Sequence, residues 1–219
     1  MASKLLSPAF VLILGGLTAA PAFAGNDDVR GEDALVSSVS YFAQTHPLSC
    51  EAAALQMALS HEGLTPSQDD ILALIPVDSQ PDADPFTAFV GDVNGSEVDG
   101  SGYGTYYPTI ASAAHQLGGR VLWSGQGLSA GQVYQALREG RPVVAWVSYD
   151  YASHPRTDYA AFDGAVIPYA GAVEHAVTLV GLAPGQVLIF DPDQGSLWLA
   201  RSTFETAYQT FDEMAVELA

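Results

Sequence analysis

The chain has a single cysteine, Cys50, and five histidines, His46, His61, His115, His154 and His175. A thiol attacks a carbonyl only as thiolate, and its ordinary pKa of about 8.5 falls beside an imidazolium or a helix N-terminus. Residues 50–62, CEAAALQMALSHE, are rich in strong helix formers and stop at Gly63, so Cys50 stands at the start of a helix whose dipole faces the sulfur. A lone cysteine has three explanations: catalysis, an intermolecular bridge, or burial as a small core residue. Catalysis requires a base brought from elsewhere in the chain.

Four of the histidines are poor candidates. His46 precedes Pro47 and is biased to extended backbone, and His154 precedes Pro155 in a polar loop. His61 and His115 fall late in predicted helices, where they face solvent or the dipole. His175 opens an apolar strand, EHAVTLVGL, that turns through Ala183-Pro184-Gly185 into QVLIFD and reaches Asp191. A hairpin of that length returns Asp191 to the end of the strand pair where His175 stands, as needed for a carboxylate to fix an imidazole's tautomer. The plain alternative is a satisfied strand-end histidine followed by an Asp-Pro turn. Gln44, six residues before Cys50, is either a surface glutamine or a side-chain amide able to donate to a developing oxyanion beside the Cys50 N–H.

Several other elements must position these groups. Capping-box spacings at Thr65–Gln68, Ser129–Gln132 and Ser202–Glu205 predict helix starts, the first running to Leu74, and a further helix is expected over 109–117. Strands are expected over 120–123, 142–149, 173–182, 187–190 and 197–200. Helices dominate the first half and strands the second, which is an α+β order. Residues 76–107 and 150–172 form two long loops, the expected walls of a cleft. Asp92, Asn94, Ser96 and Asp99 alternate like a calcium loop. Glu97 and Tyr103 stand where an EF-hand needs glycine and glutamate, so a solvated loop is expected and no metal ligands are assigned. The tyrosines of both loops are read as packing residues.

Three stretches carry a family resemblance: YFAQTHPLSCEAAALQMALSHEGL, GRPVVAWV, and EHAVTLVGL followed by VLIFDPDQG. Together with GYGTYYPTIASAAHQLG they resemble the cysteine peptidase family 39-like group, papain-like domains related to peptidases that trim double-glycine leaders from bacteriocin precursors. The resemblance implies a papain-like α+β fold, a helix carrying the cysteine packed on an antiparallel sheet. It implies Cys50 as nucleophile, His175 as general base and then acid, Asp191 as orienter and Gln44 as oxyanion donor, acting on a peptide or protein substrate without cofactor. Many relatives have glycine after the cysteine, where this chain has Glu51; a carboxylate there opposes thiolate formation unless it points away. A silent binding module of the same fold, or an acyltransferase using the same groups, are the alternatives.

The first 24 residues read as a secretory signal: Lys4, an apolar run from Phe10 to Leu17, then Ala22-Phe23-Ala24 before Gly25. The run is short for a membrane span, so cleavage and export to the periplasm, envelope or exterior are expected, with no membrane insertion afterwards. Residues 25–219 are then expected to form one domain. Lys4 is the only lysine, which leaves six arginines against 25 acidic residues. Such a surface repels phosphate backbones, so nucleic-acid binding is not expected. No transporter helices or nucleotide motifs accompany the domain, so leader trimming is not assigned.

Overall fold

The alanine-rich stretch after Ser49 becomes a helix that is covered on nearly every side, because its small side chains let sheet and helices approach it together. The computed structural model describes residues 33–219; the expected signal lies outside the described residues. In chain order the elements begin with β1 (Ala34–Leu35), α1 (Cys50–Ser60), α2 (Gln68–Leu72), β2 (Val77–Asp78), β3 (Phe89–Gly91) and β4 (Gly102–Gly104). There follow α3 (Tyr107–Gln116), β5 (Val121–Gly125), α4 (Ala130–Arg138), β6 (Val143–Ser148), β7 (Tyr159–Ala160) and β8 (Val166–Ile167). The chain ends with β9 (Glu174–Ala183), β10 (Gln186–Asp191), β11 (Gly195–Ala200), α5 (Arg201–Gln209) and β12 (Ala215–Leu218). This is the expected α+β architecture, with the cysteine helix laid on an antiparallel sheet.

The main sheet runs in the order β11-β10-β9-β6-β12-β5, with β1 also paired to β9. Its central members β6 and β9 are buried along nearly their whole length because both faces are covered, whereas β11 alternates. On one face α1 and α3 pack with Trp146, Ala176 and Val216; on the other, α4 and α5 pack with Val147, Val177, Leu179 and Ala215. The alternation along β9 therefore sends Glu174, Ala176 and Thr178 toward α1 and His175, Val177 and Leu179 toward the opposite layer. Thr178 fixes the first contact by donating from Oγ1 to Ala54 O at 2.8 Å.

Several expectations need correction. The first capping box is two residues later than its spacing suggested: Ser67 is the N-cap, Asp70 reciprocates, and the helix ends at Leu72 rather than Leu74. Ser129 and Gln132 form the expected box. Ser202 does not cap, because α5 already starts at Arg201 with Ala200 at the N-cap and no side-chain cap. The two long loops contain short strands of their own, β2-β3-β4 in one and β7-β8 in the other. Strand β12 was not expected, yet it lies between β6 and β5 inside the sheet. Its four residues follow a helix and a turn with Asp212 and Glu213 at positive φ, too short a run to announce a strand without its partners. No helix among the described residues is long and apolar enough to cross a membrane.

Caps that are made and caps that are not give different costs. Ser67→Ala is expected to lower unfolding free energy by about 1 kcal/mol in urea titrations, whereas Ser202→Ala changes it by less than about 0.5 kcal/mol. Equal losses at the two positions would contradict the observed helix starts.

Candidate active site

Cys50 is the first residue of α1 and is 6% exposed. His175 and Glu174 are the first two residues of β9, and Asp191 is the last residue of β10. The β9–β10 pairing sets Phe190 against Thr178, which leaves Asp191 diagonal to His175 on one face. His175 Nε2 meets Asp191 Oδ1 at 2.9 Å, with both residues buried. Asp191 is held further by Tyr151, whose hydroxyl donates to Oδ2 at 2.5 Å, and by the Asp193 and Gln194 N–H groups on Oδ1. Burial alone would raise its pKa. The hydrogen bond and charge of His175, with Tyr151 and the Gln194 N–H, outweigh that and bring it down to about 2. Asp191 therefore stays a carboxylate and fixes the ring through Nε2, leaving Nδ1 as the free ring nitrogen.

Gln44, Cys50 and His175 line one cleft of about 410 Å3, together with Glu97, Tyr149 and Glu174. Tyr149 stands edge-on to the His175 ring at 5.2 Å between centroids and donates to Asp193 Oδ2 at 2.5 Å. Gln44 is anchored by Nε2, which donates to His46 O at 3.1 Å and Pro47 O at 2.9 Å. Both amide hydrogens are thus engaged in the turn before α1, so donation to an oxyanion requires one of them to let go.

Of the four remaining histidines, His115 is exposed in the last turn of α3 and the other three are occupied elsewhere. His46 bridges Asn94 Oδ1 and Asp69 Oδ1, His61 contacts Ser37 O, and His154 meets Asp150 Oδ1.

Glu51 does not point away from the thiol. It is 1% exposed, takes the Thr105 N–H on Oε1 at 2.5 Å, and accepts the Cys50 thiol on Oε2 at 3.3 Å. The thiol's hydrogen bond in this structure is therefore to a carboxyl group and not to His175. Burial raises the Cys50 pKa well above its usual value, and Glu51 and Glu174 add to the rise, while the Ala176 N–H opposes it. The helix N-terminus alone does not produce an activated thiolate at rest.

Sequence reasoning singled out Glu51 but missed the other two acidic neighbours, Glu174 and Glu97. Glu174 is 3% exposed, and neither of its carboxylate oxygens has a hydrogen-bond partner. Its backbone N–H donates to Glu97 Oε2 at 3.2 Å, so the loop, solvated as expected at Asp92, Asn94 and Asp99, also delivers a carboxylate to the cleft. Burial raises all three acids: Glu51 to about 7, Glu97 to about 8, and Glu174 well above its usual range. The signal available in the sequence was adjacency, since Glu51 follows Cys50 and Glu174 precedes His175. Strand and helix geometry then turn both toward the sulfur.

The Peptidase_C39 like family model matches residues 36–216. A solved structure of a putative C39-like peptidase from Bacillus anthracis superposes with a TM-score of 0.74 at 24% identity, covering 86% of this chain and 98% of that one. The peptidase domain of Streptococcus ComA, a bi-functional ABC transporter of a quorum-sensing pathway, aligns with a TM-score of 0.48 at 16% identity, over 83% of this chain and 98% of that one. No curated protein matches the chain.

The raised carboxyl groups make stability depend on pH. Their folded pKa values lie above the unfolded ones, so the stability they contribute is complete below about pH 4.5 and is lost as pH rises through 7 to 8. The melting temperature is expected to fall by roughly 4–8 °C between pH 5 and pH 8.5. Glu97→Gln should flatten that profile, and a wild-type profile that rises over the interval would refute the buried-acid assignment.

Proposed function

We propose that this chain, which belongs to the Peptidase_C39 like family, is an exported cysteine peptidase or amidase in which Cys50 is the nucleophile, His175 the base, Asp191 its orienter and Gln44 an oxyanion donor. The observation that carries the reading is the His175–Asp191 pair opening onto the cleft that holds Cys50. Burial of Asp191 and its four donors supports a fixed ring orientation, which a general base needs before its pKa matters.

In this reading a peptide enters the cleft and its scissile carbonyl displaces the weak Sγ–H contact to Glu51. His175 takes the thiol proton at Nδ1, the thiolate adds to the carbonyl carbon, and the Cys50 N–H with the Gln44 amide receives the oxyanion. The imidazolium then protonates the leaving amine. Water, deprotonated by the same ring, releases the acyl group and restores the thiol. Glu51 and Glu174 oppose the first step in the empty site, so substrate binding has to exclude water and reposition the thiol before attack. Export follows from the pattern of residues 1–24, with the domain as residues 25–219.

One observation favours a second reading. The resting thiol is raised in pKa and hydrogen-bonded to Glu51 rather than to His175, as a silent binding module of the same fold would allow. Incubation of the exported protein with a peptide library, read by mass spectrometry, separates the two. Cleavage is expected and should vanish in Cys50→Ala. His175→Ala should lower kcat/KM at least 10³-fold and Gln44→Ala about 10-fold to 100-fold. Undiminished cleavage by Cys50→Ala would refute Cys50 as the nucleophile, and no cleavage by wild type across the library and acyl-amide substrates would leave the binding module as the reading. Products coupled to added amines would identify acyl transfer instead of hydrolysis.

A further inference from the structure

The peptidase mechanism uses Cys50 but leaves the two carboxyl groups beside it without a task. One ligand atom each from Cys50, Glu51 and Glu174 lie within 4.8 Å of one another, all in buried residues. Burying a carboxylate without a partner is costly, and proteins offset that cost with a proton, a cationic side chain or a metal ion. No lysine or arginine lines the cleft. Both oxygens of Glu174 are sealed from solvent and without a hydrogen-bond partner, while the oxygens of Glu51 meet the Thr105 N–H, the thiol itself and the N–H of its own backbone, none of them a cation. The space between them is kept by Gly104. A Cβ there would run into Glu51 Oε1 and crowd Glu174 Oε2, so any other residue would push the two side chains out of position.

We propose that Cys50 Sγ, Glu51 and Glu174 form a three-ligand site for one divalent transition-metal ion, zinc by its donor set, and that its occupancy holds the thiol out of action. A soft sulfur joined to two hard carboxylates suits a borderline ion, whereas calcium and magnesium require six or more oxygens. Zinc ligands at about 2.0–2.3 Å stand roughly 3.5 Å apart around a tetrahedron, so small side-chain rotations from the observed spacing close the site. A bare ion reaches carboxylate oxygens that a substrate's ammonium group cannot, since these atoms are closed to solvent. The fourth position is left for water or a substrate atom. Binding releases the thiol proton, and any proton on the two carboxyl groups, to solvent; the zinc-bound sulfur is then a thiolate whose electron pair is committed to the metal, so ion and acyl group compete for one atom. The inhibitory part of this inference rests on the peptidase reading; the metal site itself does not.

The test uses the exported protein, stripped with chelator, and zinc alone in a competition titration against a metal indicator. One equivalent is expected to bind with a Kd of about 1 μM or tighter, and cobalt in its place should give a thiolate-to-cobalt charge-transfer band. Cys50→Ser should abolish the band, and Glu174→Gln should weaken zinc at least 10-fold while keeping the wild-type circular dichroism. If Glu174→Gln does not fold, Cys50→Ser carries the comparison. Zinc should also protect Cys50 from iodoacetamide in wild type. Binding weaker than about 1 μM, or tight binding that survives both Cys50→Ser and Glu174→Gln and so belongs to other carboxylates, would overturn the site. Turnover measured in chelator reads the peptidase proposal separately, so either can fail alone.

Discussion

The position of every group in the site depends on the register of β9. Its ten residues are buried along almost their whole length and pair with β6 on one side and β10 on the other. A strand has a side-chain period of two, so a slip by one residue would exchange Glu174 and His175 between the faces of the sheet. It would also move Asp191 away from the ring it orients. The slip is prevented from both layers at once. Val177 and Leu179 are packed under α4 and α5, while Ala176 and Thr178 are pinned to α1.

The same strand gives Cys50 two unlike neighbours. His175 is fixed by Asp191 and faces the cleft with one free nitrogen. Glu174 comes from the opposite face of the pleat and, with Glu51, surrounds the sulfur with carboxyl groups. A papain-like pair asks for a sulfur of low pKa, yet burial and two acids raise it. These demands conflict only if the resting and working states of the thiol are the same. A site that is quiet when empty, and that needs substrate or loss of an ion to become reactive, satisfies both. In the exported peptidase proposed above, an unpaired thiol would gain from such quiescence, since a thiolate held in an oxidising compartment is readily lost to oxidation.

The long loops do more than wall the cleft. The first carries Glu97 to the β9 backbone and Thr105 to Glu51, and Trp146 Nε1 donates to Thr105 O at 3.0 Å from within the sheet. The second places Tyr151 on Asp191. Each loop thus supplies one hydrogen bond that sets the charge state of a buried acid. Tyr151 is therefore more than the packing residue it was read as, whereas Tyr103 and Tyr106 do belong to the core.

What the sequence determined by itself was local. The helix start at Cys50 followed from an alanine-rich run, and the strand pair joining His175 to Asp191 followed from two apolar runs about a proline and glycine turn. The α+β order followed from their sequence. Gln44 was identified with its neighbourhood but not with its bonds, because the two carbonyls it holds belong to a turn no propensity describes. Tertiary structure alone decided three things. Strand β12 exists because β5 and β6 leave a gap that only a strand can fill. The capping residues of α2 and α5 were chosen by where each helix meets the core. Above all, the direction of Glu51 and Glu174 was invisible along the chain. One lies on a helix and one on a strand, far apart in sequence, and only the packing of α1 on β9 turns both carboxyl groups toward the same sulfur.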